Sequence, residues 1–218
     1  MSVQIRTLDL RGQHLSKGEY QKRLPRATLD IATAMVAIEP ILAQVKNGSE
    51  SDLIALGEKF DGIKPAQIRV PAHVISESLA TLAPDIRSSL EEAIRRIQKV
   101  HSDQTRSSVA TQVVDGGRVE QRWIPVDRVG LYVPGGRAVY PSSVIMNVVP
   151  AQIAKVGSIA VASPPQKENG GYPHPTILAT CALLGIDEVY AIGGAQAVAM
   201  FAYGVKDCLL YTSPSPRD

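Results

Sequence analysis

Apolar positions recur at helical spacing through the first half of the chain, then give way to short β-rich runs that alternate with helices. Over residues 26–46, Leu29, Ala32, Met35, Val36, Ile38 and Leu42 predict a helix, which Pro40 is expected to split into two pieces. Ser49 or Ser51 is placed to cap a helix through Phe60, stopped by Asp61 and Gly62. Residues 72–82 predict a short helix. Pro84 opens a longer one whose apolar face carries Ile86, Leu90, Ala93, Ile94, Ile97 and Val100. Its other face bears Arg87, Glu91, Glu92, Arg95 and Arg96, which reads as a solvated face, with a subunit contact as the second reading. Residues 109–114 and 118–124 flank Asp115-Gly116-Gly117, a turn signal that predicts a β-hairpin.

The second half has a different rhythm. Val129, Leu131 and Val133 alternate with Gly130 and Tyr132 as a buried strand, ended by Pro134-Gly135-Gly136. Ser142 or Ser143 is placed to cap a helix to about Lys155, and residues 159–162 form the next strand. A second unit repeats the plan: helix over 176–184, Gly185 after it, strand over 188–192, the Gly193-Gly194 break, and a helix over 195–202. Strands alternating with helices imply βαβ units and a parallel sheet, with ligands at the carboxyl ends of the strands, where both Gly-Gly turns fall. Neither turn matches a dinucleotide or P-loop fingerprint. Two readings therefore stand: tight turns that use glycine for geometry, and a nucleotide or phosphate site at a helix N-terminus.

Composition narrows the class. The chain has 218 residues, enough for one or two domains, with 44% hydrophobic and 20% charged residues, as in ordinary globular proteins. A net charge of +2, 5% aromatic residues and no long basic run argue against a nucleic-acid partner. No apolar run approaches a membrane span, and the N-terminus MSVQIRTLDLRGQ is too polar for a signal peptide. With two cysteines, Cys181 and Cys208, the chain is assigned to a reducing cytoplasm. His14, His73, His101 and His174 are scattered without ligand spacing, so no metal ligand is assigned among them.

At VGLYVPGG (residues 129–136), PSSVIMNVVPAQIA (141–154), VASPP (161–165) and GGAQAVAMFAYG (193–204) the chain resembles the histidinol dehydrogenase family, and the resemblance runs from about residue 6 to 208. It implies an α/β fold: a helical N-terminal region with a β-hairpin, then an incomplete Rossmann-like parallel βαβ sheet domain. It also implies a zinc- and NAD-dependent oxidation of L-histidinol to L-histidine through histidinal, carried out by a homodimer. Two cofactor contacts carry over by motif, Tyr132 of GLYVPGG and Gln196 of GGAQA. The Tyr132 ring and hydroxyl would pack on and hydrogen-bond a nucleotide, and the Gln196 amide would donate to ribose or phosphate oxygens.

By the same resemblance, residues 1–25 are an N-terminal segment with a dimer contact. Residues 26–128 are the helical part of a first, incomplete Rossmann-like domain, and residues 129–208 are the incomplete NAD-binding domain. A GPGN segment, the zinc ligands and the Glu-His acid–base pair would all follow the last residue of this chain, so no catalytic residue and no metal ligand is assigned. Residues 209–218, LLYTSPSPRD, depart from the family pattern and are read as a non-native tail. A truncated chain is expected to leave sheet and helix faces bare, at a loss of roughly 1.5–3 kcal/mol per uncovered Leu, Ile or Val. Two other functions fit the residues: a non-catalytic nucleotide-binding or oligomerisation module, and another NAD enzyme acting on a different amino alcohol.

Overall fold

The computed structural model describes residues 7–24, 31–65, 67–135 and 138–205. In order, the elements are α1 (Lys17–Arg23), α2 (Ile31–Asn47), α3 (Glu50–Asp61), α4 (Ala72–Ala80), α5 (Pro84–Asp103), β1 (Val109–Val114), β2 (Gly117–Gln121), β3 (Arg128–Tyr132), α6 (Pro141–Ile153), β4 (Ser158–Ser163), α7 (Pro175–Leu183), β5 (Val189–Ala191) and α8 (Gly194–Tyr203). The chain divides into two units, residues 1–36 and 37–218. In the first, Ser16 caps α1 by accepting the Glu19 N–H, while its own N–H donates to the Glu19 carboxylate at 2.9 Å. No helix among the described residues is long and apolar enough to cross a membrane.

In the second unit β3, β4 and β5 form a parallel sheet in that order, as the alternating pattern predicts. Because side chains alternate along a strand, the sheet sorts its residues into two cores. Val133, Val161, Val189 and Ala191 face α6 and α7. On that side α4 packs on α7 and α5 on α6. Ala160, Ala162, Tyr190 and Ile192 face the other way, against Val45 of α2, Leu53 and Leu56 of α3, and Met200 and Phe201 of α8. So α6 and α7 lie on one face, whereas α8 leaves β5 and runs back on the other face to reach β3. That change of side is the arrangement that opens a ligand crevice at the carboxyl ends of such sheets.

Several expectations change. Pro40 lies inside one continuous helix, α2, and does not split it. Proline removes one N–H donor there, but Val45 on the following turn is buried in the second core and holds the helix past the defect. Helix α6 starts at Pro141 with Tyr140 before it, and neither Ser142 nor Ser143 caps it. Proline at the first helical position has the required φ and needs no donor. Of the apolar face of α5, Leu90 and Ile94 are buried while Ile86 and Val100 stand exposed. The charges opposite pair with one another, Arg87 with Glu91 at 2.9 Å and Arg96 with Glu92 at 2.6 Å, as a solvated face does. Strand β2 ends at Gln121, short of the expected Ile124.

Both faces of the three-stranded sheet are covered, whereas helix faces are left bare at Ile86 and Val100 of α5, Met146 of α6 and Val198 of α8, as expected of a shortened chain. Exposed apolar surface is also found on the hairpin and the segment after it, where Val109, Val119, Trp123, Ile124 and Val126 are each at least half exposed. A two-stranded hairpin has no second layer of its own to cover such side chains.

The amino ends of the strands are tied by charge. Glu188 accepts from Arg128 and from the Tyr190 hydroxyl at 2.8 Å, and Arg69 approaches it at 3.7 Å. Arg128 also donates to the Ser158 hydroxyl at 2.7 Å, linking β3, β4 and β5. Glu188→Gln is expected to cost about 2 kcal/mol in urea denaturation, because it neutralises the shared acceptor of a half-buried network. A loss below about 0.5 kcal/mol would mean that the pairs behave as exposed ones.

Candidate functional site

Three turns meet at the carboxyl ends of the strands: residues 133–135 after β3, 164–166 after β4 and 192–194 after β5. Tyr132, the last residue of β3, is half-buried, and its hydroxyl accepts the Gly194 N–H at 3.3 Å. This bond joins the outer strand to the start of α8. Gly194 needs its glycine twice over: its φ is +63°, and a Cβ there would lie 2.7 Å from the Gln196 side-chain oxygen. Gly193 precedes α8 and has no side chain with which to cap it, and the Gly194 N–H is taken by Tyr132.

Polar side chains left without partners gather here. Gln196 is 1% exposed, and its Nε2 has no hydrogen-bond partner among the described residues. Ser163, at the end of β4, is also 1% exposed, with an unpartnered Oγ that would sit 2.9 Å from a Cβ on Gly135. The third is Asp61, at the end of α3. Its Oδ2 is buried without a partner, and its Oδ1 lies 3.2 Å from the Cβ position of Gly193, which also abuts the Pro164 ring at 2.8 Å. A buried polar atom with no partner costs about 1–3 kcal/mol, which a ligand that satisfies it recovers. On the floor of the crevice the Gln166 amide donates to the Gly135 carbonyl at 2.5 Å, and Asn169 donates to Gln166 at 2.7 Å, fixing the turn after β3.

The structure thus brings the two sequence-assigned residues, Tyr132 and Gln196, to one edge, where the Tyr132 hydroxyl holds the Gly194 N–H two residues before Gln196. Asp61 and Ser163 were not singled out from sequence. Asp61 read as a helix stop and Ser163 as part of a strand end. One signal was available for Asp61: a carboxylate in the last turn of a helix opposes the helix dipole.

Burial pushes the Asp61 carboxyl above the usual carboxylate range. A carboxyl raised on folding contributes its stability below its unfolded pKa and loses it as pH rises through the folded value. Asp61→Asn is therefore expected to raise the melting temperature at about pH 7, and the gain should vanish as pH falls below about 4. A lower melting temperature at neutral pH would show that the carboxylate is held by interactions that favour its charge.

No group of three His, Cys, Asp or Glu able to hold a metal occurs among the described residues. His174 Nδ1 accepts the Thr176 N–H at 3.2 Å and caps α7, and His14 and His73 are exposed. Cys181 is buried, and burial pushes its thiol up to about 12, so it is inert. Cys208 lies outside the described residues, as do Gly136 and residues 209–218.

Comparison with known proteins gives a consistent result. A family model described as histidinol dehydrogenase matches residues 24–209. The chain is 60% identical to the histidinol dehydrogenase of Thermobifida fusca over 204 residues, covering 94% of this chain and 46% of that protein. It is 56% identical to the histidinol dehydrogenase of Streptomyces avermitilis, again over 94% of this chain and 46% of that protein. The crystal structure of histidinol dehydrogenase from Elizabethkingia anophelis superposes with a TM-score of 0.77 at 27% identity, over 88% of this chain and 44% of that one. The chain spans about half the length of the curated relatives it matches.

Proposed function

The chain belongs to the histidinol dehydrogenase family, and from that premise we propose that it forms the N-terminal half of an enzyme that oxidises L-histidinol to L-histidine through histidinal. The proposed enzyme is a cytoplasmic homodimer that uses NAD and zinc. The division of the chain at residues 25/26 and 128/129 belongs to the same reading. NAD, when bound, supplies the acceptor for one hydride in each of the two oxidations.

The observation that carries the reading is the cluster of groups gathered at the carboxyl ends of the strands. Tyr132 accepts the Gly194 N–H at the start of α8 there, beside three polar groups with no partner among the described residues. Tyr132 lays its ring against the nucleotide and turns its hydroxyl to it. Gln196 donates its free amide hydrogens to ribose or phosphate oxygens. The first N–H groups of α8 favour phosphate charge. Gly135 and Gly193 let the turns after β3 and β5 close on Ser163, Pro164 and Asp61, where a Cβ would clash. Zinc binding and proton transfer are assigned to none of these residues.

In the full-length protein, Tyr132→Phe is expected to raise KM for NAD about 5- to 10-fold, the worth of about one hydrogen bond, and to leave KM for histidinol unchanged. Steady-state kinetics with each substrate varied in turn would show this. A change confined to histidinol would place Tyr132 at the other substrate's site. Absence of any histidinol-dependent NAD reduction would leave a nucleotide-binding module as the function.

A further inference from the structure

We infer that Asp61 and Ser163 are two further contacts of the crevice, and that the Asp61 carboxylate accepts hydrogen bonds from a ribose diol, so selecting a dinucleotide that lacks a 2′-phosphate. The inference rests on the nucleotide reading above and adds to it the residue that sets the choice between NAD and NADP.

Three unfavourable features coincide at Asp61. It is the last residue of α3, where an acid faces the negative end of the helix dipole. One of its oxygens is buried with no hydrogen-bond partner among the described residues. Burial alone raises its pKa, and no nearby cation lowers it. A residue kept for packing would not carry all three. Local features that oppose folding concentrate where a ligand is later bound.

Geometry places this carboxyl on the crevice. Its Oδ1 lies against Gly193, the residue before α8, and Pro164 bridges from there to Gly135 and Ser163. Two strand ends and one helix end thus bring a buried carboxylate oxygen and a buried hydroxyl together around Pro164 and two glycines. Their chemistry is selective. An ionised carboxylate only accepts hydrogen bonds, and the two hydroxyls of an unmodified ribose are donors that match it. A 2′-phosphate brings negative charge against the same carboxylate. Sites that take it supply an arginine nearby, and burial is the one cause that shifts the Asp61 carboxyl among the described residues. Ser163 Oγ can donate or accept, so it adds affinity without choosing between the two cofactors.

The test measures NAD and NADP binding by calorimetry to the full-length protein, as wild type, Asp61→Asn, Asp61→Ser and Ser163→Ala, with a melting curve for each. Asp61→Asn and Asp61→Ser should weaken NAD about 10-fold and narrow the NAD:NADP affinity ratio by at least about 10-fold, with no loss of melting temperature. Ser163→Ala should weaken both cofactors several-fold and equally. An unchanged ratio in both Asp61 variants, with wild-type NAD binding intact, overturns the inference and leaves the nucleotide reading standing. If the wild type binds neither cofactor, both fall.

Discussion

Gln196→Leu is expected to weaken NAD binding by about 10- to 100-fold while leaving the ligand-free protein at least as stable as wild type. The two halves of this expectation have one cause. Gln196 is 1% exposed, yet its Nε2 finds no partner among the described residues. A buried amide nitrogen without a partner is a standing cost of about 1–3 kcal/mol, and leucine of similar volume removes it. If the residue served only to cap its own helix or to fill the core, the substitution would lose stability and leave NAD affinity alone. Calorimetric titration and thermal melting on the same sample separate the two roles. Asparagine is the companion variant: it keeps the amide but shortens its reach, so it should recover little affinity.

Gly130→Ala is expected to destabilise the fold by about 3 kcal/mol, at the upper end of overpacking costs. A Cβ on Gly130 would lie 2.3 Å from Cγ of Phe201 and 2.6 Å from both neighbouring ring carbons. Phe201 is 3% exposed and meets Tyr190 edge-on with ring centroids 6.1 Å apart, so it has little room to retreat. The ring sits on α8, and displacing it moves the helix whose first turn carries Gly194 and Gln196. The variant should therefore also weaken NAD binding, from a position outside the crevice. Gly130→Ala combined with Phe201→Leu should be more stable than Gly130→Ala alone, a non-additivity expected only of residues in contact. Additive losses in urea denaturation would show that the strand and α8 do not press on each other as described.

Much of this arrangement was legible from residues alone because its signals are periodic. Val129, Leu131 and Val133 alternate, as a strand with one face in each core must, and Gly-Gly steps end the first and third strands of the sheet. The hairpin was legible from Asp115-Gly116, and Gly116 has the positive φ of 77° that the turn requires. What remained hidden depends on contacts between distant segments. Residues 68–70 pair antiparallel with β5, Val70 N–H donating to Val189 and Ala191 N–H to Ile68, but three residues are too few to show a period. Pro40 looked like a break because the packing of Val45 that carries α2 past it is a tertiary effect. Tyr132 and Gln196 came from motif resemblance, and the bond from Gly194 at the start of α8 to the Tyr132 hydroxyl follows only from the fold. Asp61 and Ser163 have no motif of their own. Burial without partners is what marks them, and burial is not written in a local window of sequence.

The account stands most directly on the cofactor yield and its dependence on this crevice. The measurement is the number of NADH molecules formed per histidinol consumed by the full-length protein, for the wild type and for Gln196→Leu across a range of NAD concentrations. The account predicts two NADH per histidinol in both, with the variant needing about 10- to 100-fold more NAD to reach the same rate. No NADH from histidinol, or a variant whose NAD requirement matches the wild type, would contradict it.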